Sequence, residues 1–475
     1  MRGREATDAR PIDRVWMLLP AALPAFVAGV AALGTIDLAY HLRLGEVTMA
    51  LGRVAQTDSF TFSAGGETWV NQQWAAQIVL ALLYRAGGWA TLGVAQMASI
   101  GFSFWLVARA AVARGAGPRA AGLLSVIGFL VAAPNLSMRP QLLALPIVAG
   151  CVFLLADRRR HPPRLWLVPV AAMMLANIHG SFVLVPLLVG LAWLEDTIEG
   201  ETGRRRLIAV GVTSIVATLL NPYGIGAWVY VVELSTNPIV RDTIAEWAPV
   251  TVASLAGWLM VGSATALGIT AARRAEPVAW GSVITLAVFF VMAMQSQRGT
   301  LWWSIVAPVV VAPLLSWGRT YASDDARPVR VESRAPARAM TLMLVAAVVV
   351  ALPWWRTASY EASLRDAPPG ITAEVRRLPP GSRVFVHQPW ASWIEHATPD
   401  VLVFVDSRVE LFTDDVWSDY DQVAFAGARW HEVLDRWQPD AIVAEADWDL
   451  LPFLREDPAW RVAYEDGDGV VFVRT

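Results

Sequence analysis

The 475-residue chain has no lysine and a single cysteine, Cys151. One cysteine excludes an intrachain disulfide framework, and no Cys/His set has the spacing of a structural zinc site. Charge is scarce too: charged residues make up 17% of the chain, where an ordinary soluble domain carries about a quarter. There is no Walker-type loop, no dinucleotide glycine pattern and no His-Glu-x-x-His metalloprotease motif. Serine-nucleophile patterns are absent as well. The arginines form no stripe outside the loops between apolar runs, so a nucleic-acid partner has no support. The Asp447/Asp449 and Asp466/Asp468 pairs match the short Asp-x-Asp pattern of nucleotide-sugar enzymes. Three-residue matches arise readily by chance, and neither pair is assigned a role.

What is abundant is apolar. Hydrophobic residues reach 55% and mean hydropathy is +0.45. Apolar runs recur from Val15 to Trp355, each near the roughly 20 residues that cross a bilayer. Composition therefore predicts an all-α polytopic membrane domain over 1–356, with about eleven transmembrane helices, and a small α/β extracytoplasmic domain over 357–475. The expected spans are 15–36, 89–108, 120–133, 142–156, 165–178, 182–194, 207–220, 254–272, 278–294, 301–317 and 339–355. A first outer loop fills 37–73, and 74–84 reads as an interfacial helix. Inner segments hold about 21 arginines and outer loops before the tail about six. This asymmetry places the N-terminus in the cytoplasm and the tail on the extracytoplasmic side of the membrane. A signal peptide over the first run is the rival reading. In the tail, β-like runs fall at 383–386, 401–405, 441–444 and 470–473, and helix-like stretches at 414–425, 429–437 and 448–456. Gly467, Asp468 and Gly469 read as a hairpin turn.

Ionisable residues are costly at mid-span, about 2.5–3.5 kcal/mol on the insertion scale. The few outside the inner loops gather on the outer side: Asp37, His41, Asp58, Glu67, Arg139, His179, Glu246 and Arg298. On a helix, Asp37 and His41 share one face. There a carboxylate serves as general base or metal ligand, or caps a helix while His41 packs at the interface. Arg139 and Arg298 offer forked donors that fit phosphate oxygens, or snorkel to the interface. His179 offers a hydrogen bond to sugar or phosphate, or to local carbonyls. Asn221 and Tyr223 either touch substrate or make a turn fixed by Pro222. Glu246 and Trp247 suit a sugar face, or Trp247 anchors the interface.

Several of these residues sit in longer patterns. Asp37, His41-Leu42 and Gly45-Glu46 are followed by Gly52, Val54, Thr57-Asp58, Phe60 and Phe62, then by Trp69-Val70-Asn71-Gln72 and Trp74. Arg139-Pro140-Gln141, Ala176-Asn177-Ile178-His179-Gly180, Asn221-Pro222-Tyr223-Gly224, Glu246-Trp247 and Val405-Asp406-Ser407-Arg408 continue the pattern. Together they resemble a large group of bacterial multispanning proteins described as glycosyltransferase-like, of the GT-C class. The resemblance covers most of the chain. It implies an enzyme that takes a sugar from a polyprenyl-phosphate carrier and passes it to an envelope glycan, lipid or protein acceptor outside the cytoplasm. By position Asp37 matches the acidic residue of the first outer loop, as base or as ligand to a divalent cation (magnesium or manganese), with Asp58 the second candidate. The expected site is one outward chamber. A flippase for a lipid-linked substrate, and a non-catalytic envelope protein whose tail binds a partner or glycan, are the competing readings. Neither a transporter-type repeat nor mid-span charge supports the flippase.

Overall fold

The computed structural model describes residues 10–273, 279–315 and 334–475. The expected inner arginines Arg2, Arg4, Arg274, Arg319, Arg327 and Arg330 lie outside the described residues. The chain is mostly helical, with one small sheet near its C-terminus. It divides into two compact units: one holds the chain up to Ala31, Ala90–Gly224 and Ile244–Thr357, the other Ala32–Trp89, Ile225–Thr243 and Ala358–Thr475.

Most described residues of the eleven expected stretches are helical; 278 and 316–317 lie outside the described residues, and the first helix ends at Val30 rather than 36. Among the described residues Pro11–Val30, Trp74–Ala113 and Gly180–Ile198 are long and apolar enough to cross a membrane; a fourth crossing arises if Arg334–Val350 and Pro353–Glu361, bent by 46°, act together. The apolar helices Pro140–Ala156, Gly257–Thr270, Trp280–Gln295 and Gly299–Val310 have 10–17 residues, short of the roughly 20 of a straight crossing. Length and apolarity alone thus mark three or four crossings, not the eleven expected. The interfacial helix and the second expected span join in Trp74–Ala113, which is broken at Gly87 and Gly88. Gly88 has φ 62° and ψ −155°, a region open essentially to glycine alone.

Within the first unit helices pack through small residues, as membrane helices do. A Cβ on Gly128 would come within 2.4 Å of the Ser304 carbonyl. The arginines of the loops at 109–119 and 157–164 do more than set orientation. Arg158 donates to Glu195 and Asp196, each at 2.7 Å, and Arg114 donates to Glu195 at 2.5 Å. Arg159 adds Asp196 at 2.7 Å and Glu199 at 2.6 Å. The buried charges among these, Arg158, Glu195 and Asp196, are paired, as burial requires. The sequence reading assigned them no partners.

In the second unit the tail forms a five-stranded sheet: β1 (Arg383–Val386), β2 (Leu402–Val403), β3 (Ala441–Glu445), β4 (Trp460–Glu465) and β5 (Gly469–Arg474), in the order β2-β1-β3-β5-β4. β1 pairs in parallel with β2 and β3, while β5 runs antiparallel to both β3 and β4. β3 and β5 are almost wholly buried, which explains their unbroken apolar runs. One face packs Val384, Val386, Val443 and Val471 under Trp390, Ile394 and Ile371. On the other, Phe385 stacks between Phe404 and Tyr420. The helix Gln388–Ala397, not anticipated above, opens with Pro389 at its first turn and buries Trp390, Ala391 and Ile394. The edge of β2 is covered by the first loop: Phe62 N donates to Val403 O and Val403 N to Phe60 O, both at 3.0 Å. A free strand edge is thereby closed.

Candidate functional site

The first unit gathers four of the expected site residues. Arg139 stands at the N-terminus of the Pro140–Ala156 helix, and Arg298 at that of Gly299–Val310. Glu246 lies in the short turn Ala245–Trp247. Its segment is tied to that of Arg298 by backbone bonds, Arg298 N to Glu246 O and Gln297 N to Ala248 O, each 3.1 Å. Arg139 Nη2 donates to Glu246 Oε1 at 2.5 Å and Arg298 Nε to Glu246 Oε2 at 2.9 Å. Glu246 therefore clamps two guanidinium groups; the expectation that it meets a sugar face gives way to an ion-pair role in this structure. Burial alone would raise its carboxyl, but Arg139 and Arg298 more than offset that and hold it below the usual carboxylate range. The trio carries a net charge of about +1 by formal count. Arg298 lies over the Trp247 ring, 5.2 Å from its centroid. Among the described residues its two terminal nitrogens make no hydrogen bond, so they keep their donors for an anion.

His179 occupies the extended turn between two helices, where Ser181 N donates to its Nδ1 at 3.0 Å. Burial, then the charges of Arg298 and Arg139, lower its pKa to about 3. The imidazole is thus neutral at physiological pH, with its proton on Nε2. Asn135, which the sequence reading missed, supports the same region: its amide donates to Thr300 Oγ1 at 3.0 Å and to Gln297 O at 3.3 Å. Only an Ala-Pro-Asn turn before the arginine motif hinted at it.

Asn221 and Tyr223 form a turn. Asn221 Nδ2 donates to Thr218 O and Gly224 O, and Tyr223 N donates back to Asn221 Oδ1 at 2.7 Å. Asn177 Nδ2 reaches Leu220 O at 2.9 Å, joining this turn to the segment before His179.

The second unit holds the loop candidates. Asp37 stands half-buried at the N-terminus of Leu38–Leu51, without a side-chain cap bond. His41, one turn on, is buried, with Nδ1 3.5 Å from Gln77 Nε2. Gln77 and Asn71 exchange amide hydrogen bonds at 2.7 and 2.9 Å, which gives the Trp69–Trp74 motif a structural purpose. Asp58 is committed elsewhere. Its Oδ1 takes Arg408 Nη2 at 2.6 Å, and its Oδ2 takes Thr61 N at 3.1 Å and Thr61 Oγ1 at 2.7 Å. Arg408 also donates to Asp406 and lies over Trp69 and Phe60. Burial drives the neighbouring Glu395 carboxyl well up, with the Asp406 charge adding to it. Two motifs 350 residues apart in the chain thus form one buried ion-pair cluster. A carboxylate so enclosed has no open face for an acceptor, and the structure sets Asp58 apart from a base.

Among the described residues no group of three or more His, Cys, Asp or Glu side chains has the geometry to hold a metal ion. The expected cation at Asp37 therefore lacks a ligand set of that kind among the described residues.

No protein-family model matches the chain, and no curated protein matches it. Solved structures do. ArnT from Cupriavidus metallidurans bound to undecaprenyl phosphate is 14% identical with a TM-score of 0.55, over 97% of this chain and 98% of that one. The apo oligosaccharyltransferase of Archaeoglobus fulgidus is 12% identical with a TM-score of 0.63, over 99% and 75%. The mycobacterial arabinofuranosyltransferase AftD is 16% identical with a TM-score of 0.56, over 97% and 41%. The chain shares the GT-C fold of these membrane glycosyltransferases.

Proposed function

We propose that this protein is a membrane glycosyltransferase that moves a sugar from a polyprenyl-phosphate donor to an envelope acceptor on the outer face. The observation that carries the reading is the arginine pair clamped by Glu246 beside a neutral His179. In the transfer, the acceptor oxygen attacks the anomeric carbon and the bond from that carbon to the phosphate oxygen breaks. The polyprenyl phosphate leaves with the electron pair, and its charge is what Arg139 and Arg298 are suited to hold. His179 supplies a neutral donor, which adds no competing positive charge. Asp37, whose carboxylate is not enclosed as that of Asp58 is, takes the acceptor hydroxyl proton. The structural neighbour from Cupriavidus metallidurans binds undecaprenyl phosphate, which supports a lipid-phosphate donor for this chain.

The test is a strain lacking the gene, complemented with wild type or Asp37→Asn. Asn keeps the shape and removes the base. Envelope glycan and lipid composition, read by mass spectrometry, should follow the deletion strain in the variant. A variant profile that matches wild type, while deletion alters it, would show that Asp37 is not the base. Carrier movement across vesicles without a new glycosidic bond would favour a flippase instead.

A further inference from the structure

The helices of the first unit differ in apolar length. Pro11–Val30 has 20 residues, and its rise of about 30 Å matches the hydrocarbon core of a bilayer. Leu167–Ile178 and Arg204–Thr218, which pack side by side, do not match it. Each belongs to an apolar run of 14 residues, 165–178 and 207–220. At 1.5 Å per residue each run is only about 21 Å long. Both stop sharply. Arg164 precedes the first run and Arg204, Arg205 and Arg206 precede the second, while His179 and Asn221 follow them. The runs also end level with each other, because Asn177 Nδ2 donates to Leu220 O at 2.9 Å.

The outward face of this pair is apolar. Val170 and Met174 are four apart on one helix and Val212 and Val216 on the other, so each pair shares a face, and all four are exposed. At the arginine end Trp166 is exposed as well. Among the described residues the side chains of Arg204, Arg205 and Arg206 are exposed and make no hydrogen bond or ion pair. Unpaired guanidinium groups and an indole at the rim complement lipid phosphates, so the occupant of this face is lipid. With the arginines at the phosphates of one leaflet, an ordinary core of about 30 Å would reach roughly 9 Å past His179 and Asn221. Their polar side chains would then lie in hydrocarbon, at a cost. Tilting shortens a run along the membrane normal and enlarges the shortfall. We propose that the bilayer is thinned locally beside 165–178 and 207–220, to about 20–25 Å, while Pro11–Val30 meets it at ordinary thickness. The phosphates of the far leaflet then stand level with His179, and a lipid phosphate reaches that level from the side without leaving the headgroup layer. Helices too short for an ordinary crossing cross here because the membrane comes to them. The thinning requires membrane insertion and no transfer chemistry.

Spin labels on Ile208→Cys, Val212→Cys and Leu220→Cys, with the full chain in oleoyl phosphatidylcholine vesicles, test the proposal. Cys151 is buried and stays unlabelled. Depth is read from relaxation by oxygen against a water-soluble nickel chelate. The labels at 208 and 220, about 18 Å apart along the helix, should both lie near the headgroup boundary, and the label at 212 in hydrocarbon. The wild-type chain should unfold about tenfold or more faster in vesicles with long erucoyl chains than with short myristoleoyl chains. That comparison needs no substitution, so it stands even where a labelled variant fails to insert. A label at 208 or 220 deep in hydrocarbon, equal unfolding rates in the two lipids or faster unfolding in the shorter one would each overturn the proposal. Dipolar broadening at 212, which would place a second copy of the chain on this face, would overturn it too.

Discussion

Replacing Asp58 by Asn tests whether the second loop carboxylate is structural or chemical. In the structure its side chain is fully enclosed, and that of its partner Arg408 is 2% exposed. The variant keeps the volume and an acceptor for Thr61 but removes the charge facing Arg408 Nη2. Loss of one partner of a buried ion pair costs about 3–5 kcal/mol. Asp406 still neutralises Arg408, so a loss of about 2–3 kcal/mol, the range of a charge-assisted hydrogen bond, is the reasoned figure. The effect should be local, because the pair fastens the Phe60–Phe62 segment to β2. Hydrogen exchange by mass spectrometry reads it directly. The amides of Phe62 and Val403, bonded across this seam, should lose protection by roughly 30- to 150-fold at about 1.4 kcal/mol per factor of ten. Peptides covering Arg139 and Arg298 should not change. Pairing Asp58→Asn with Arg408→Met should give a clearly non-additive result in a double-mutant cycle. If protection is untouched in Asp58→Asn while glycan transfer is abolished, the structural reasoning fails and the carboxylate acts in the chemistry.

Other perturbations follow from the same geometry. Glu246→Gln releases the two guanidinium groups, and misplacing them should cut transfer by about ten- to a hundredfold; activity equal to wild type in a radiolabelled-sugar assay would refute the clamp. His179 has its pKa lowered to about 3. The unfolded chain therefore takes up a proton below about pH 6.5 that the folded chain refuses, and stability falls as pH drops from there toward 3. His179→Asn should remove that one-proton slope, about 1.4 kcal/mol per pH unit, from the unfolding free energy between about pH 6 and 4. Gly88→Ala meets no closer atom than Glu361 Oε1 at 3.6 Å, so its cost is backbone strain alone, about 1–3 kcal/mol. Cysteine-directed labelling or proteolysis near residue 88 should report the opened break, and an unchanged pattern would count against it.

The sequence by itself determined the material of each region. Apolar run length marked where the long helices of the first unit fall among the described residues, because burial in lipid is written residue by residue. Val384–Val386, Ala441–Ala444 and Val470–Val473 announced their strands because strands buried on both faces tolerate little else. The turn at Asn221 was legible for the same local reason: its amide bonds within three residues. What the chain order could not state was pairing. That Glu246 joins Arg139 to Arg298, 107 and 52 residues away, depends on helices meeting at their ends, and a lone Glu-Trp dipeptide carries no sign of it. Asp58 looked like a second catalytic acid until Arg408, far along the chain, enclosed it. Burial of charge is a property of the assembled neighbourhood, so only tertiary structure shows that Asp58 is held in an ion pair with Arg408.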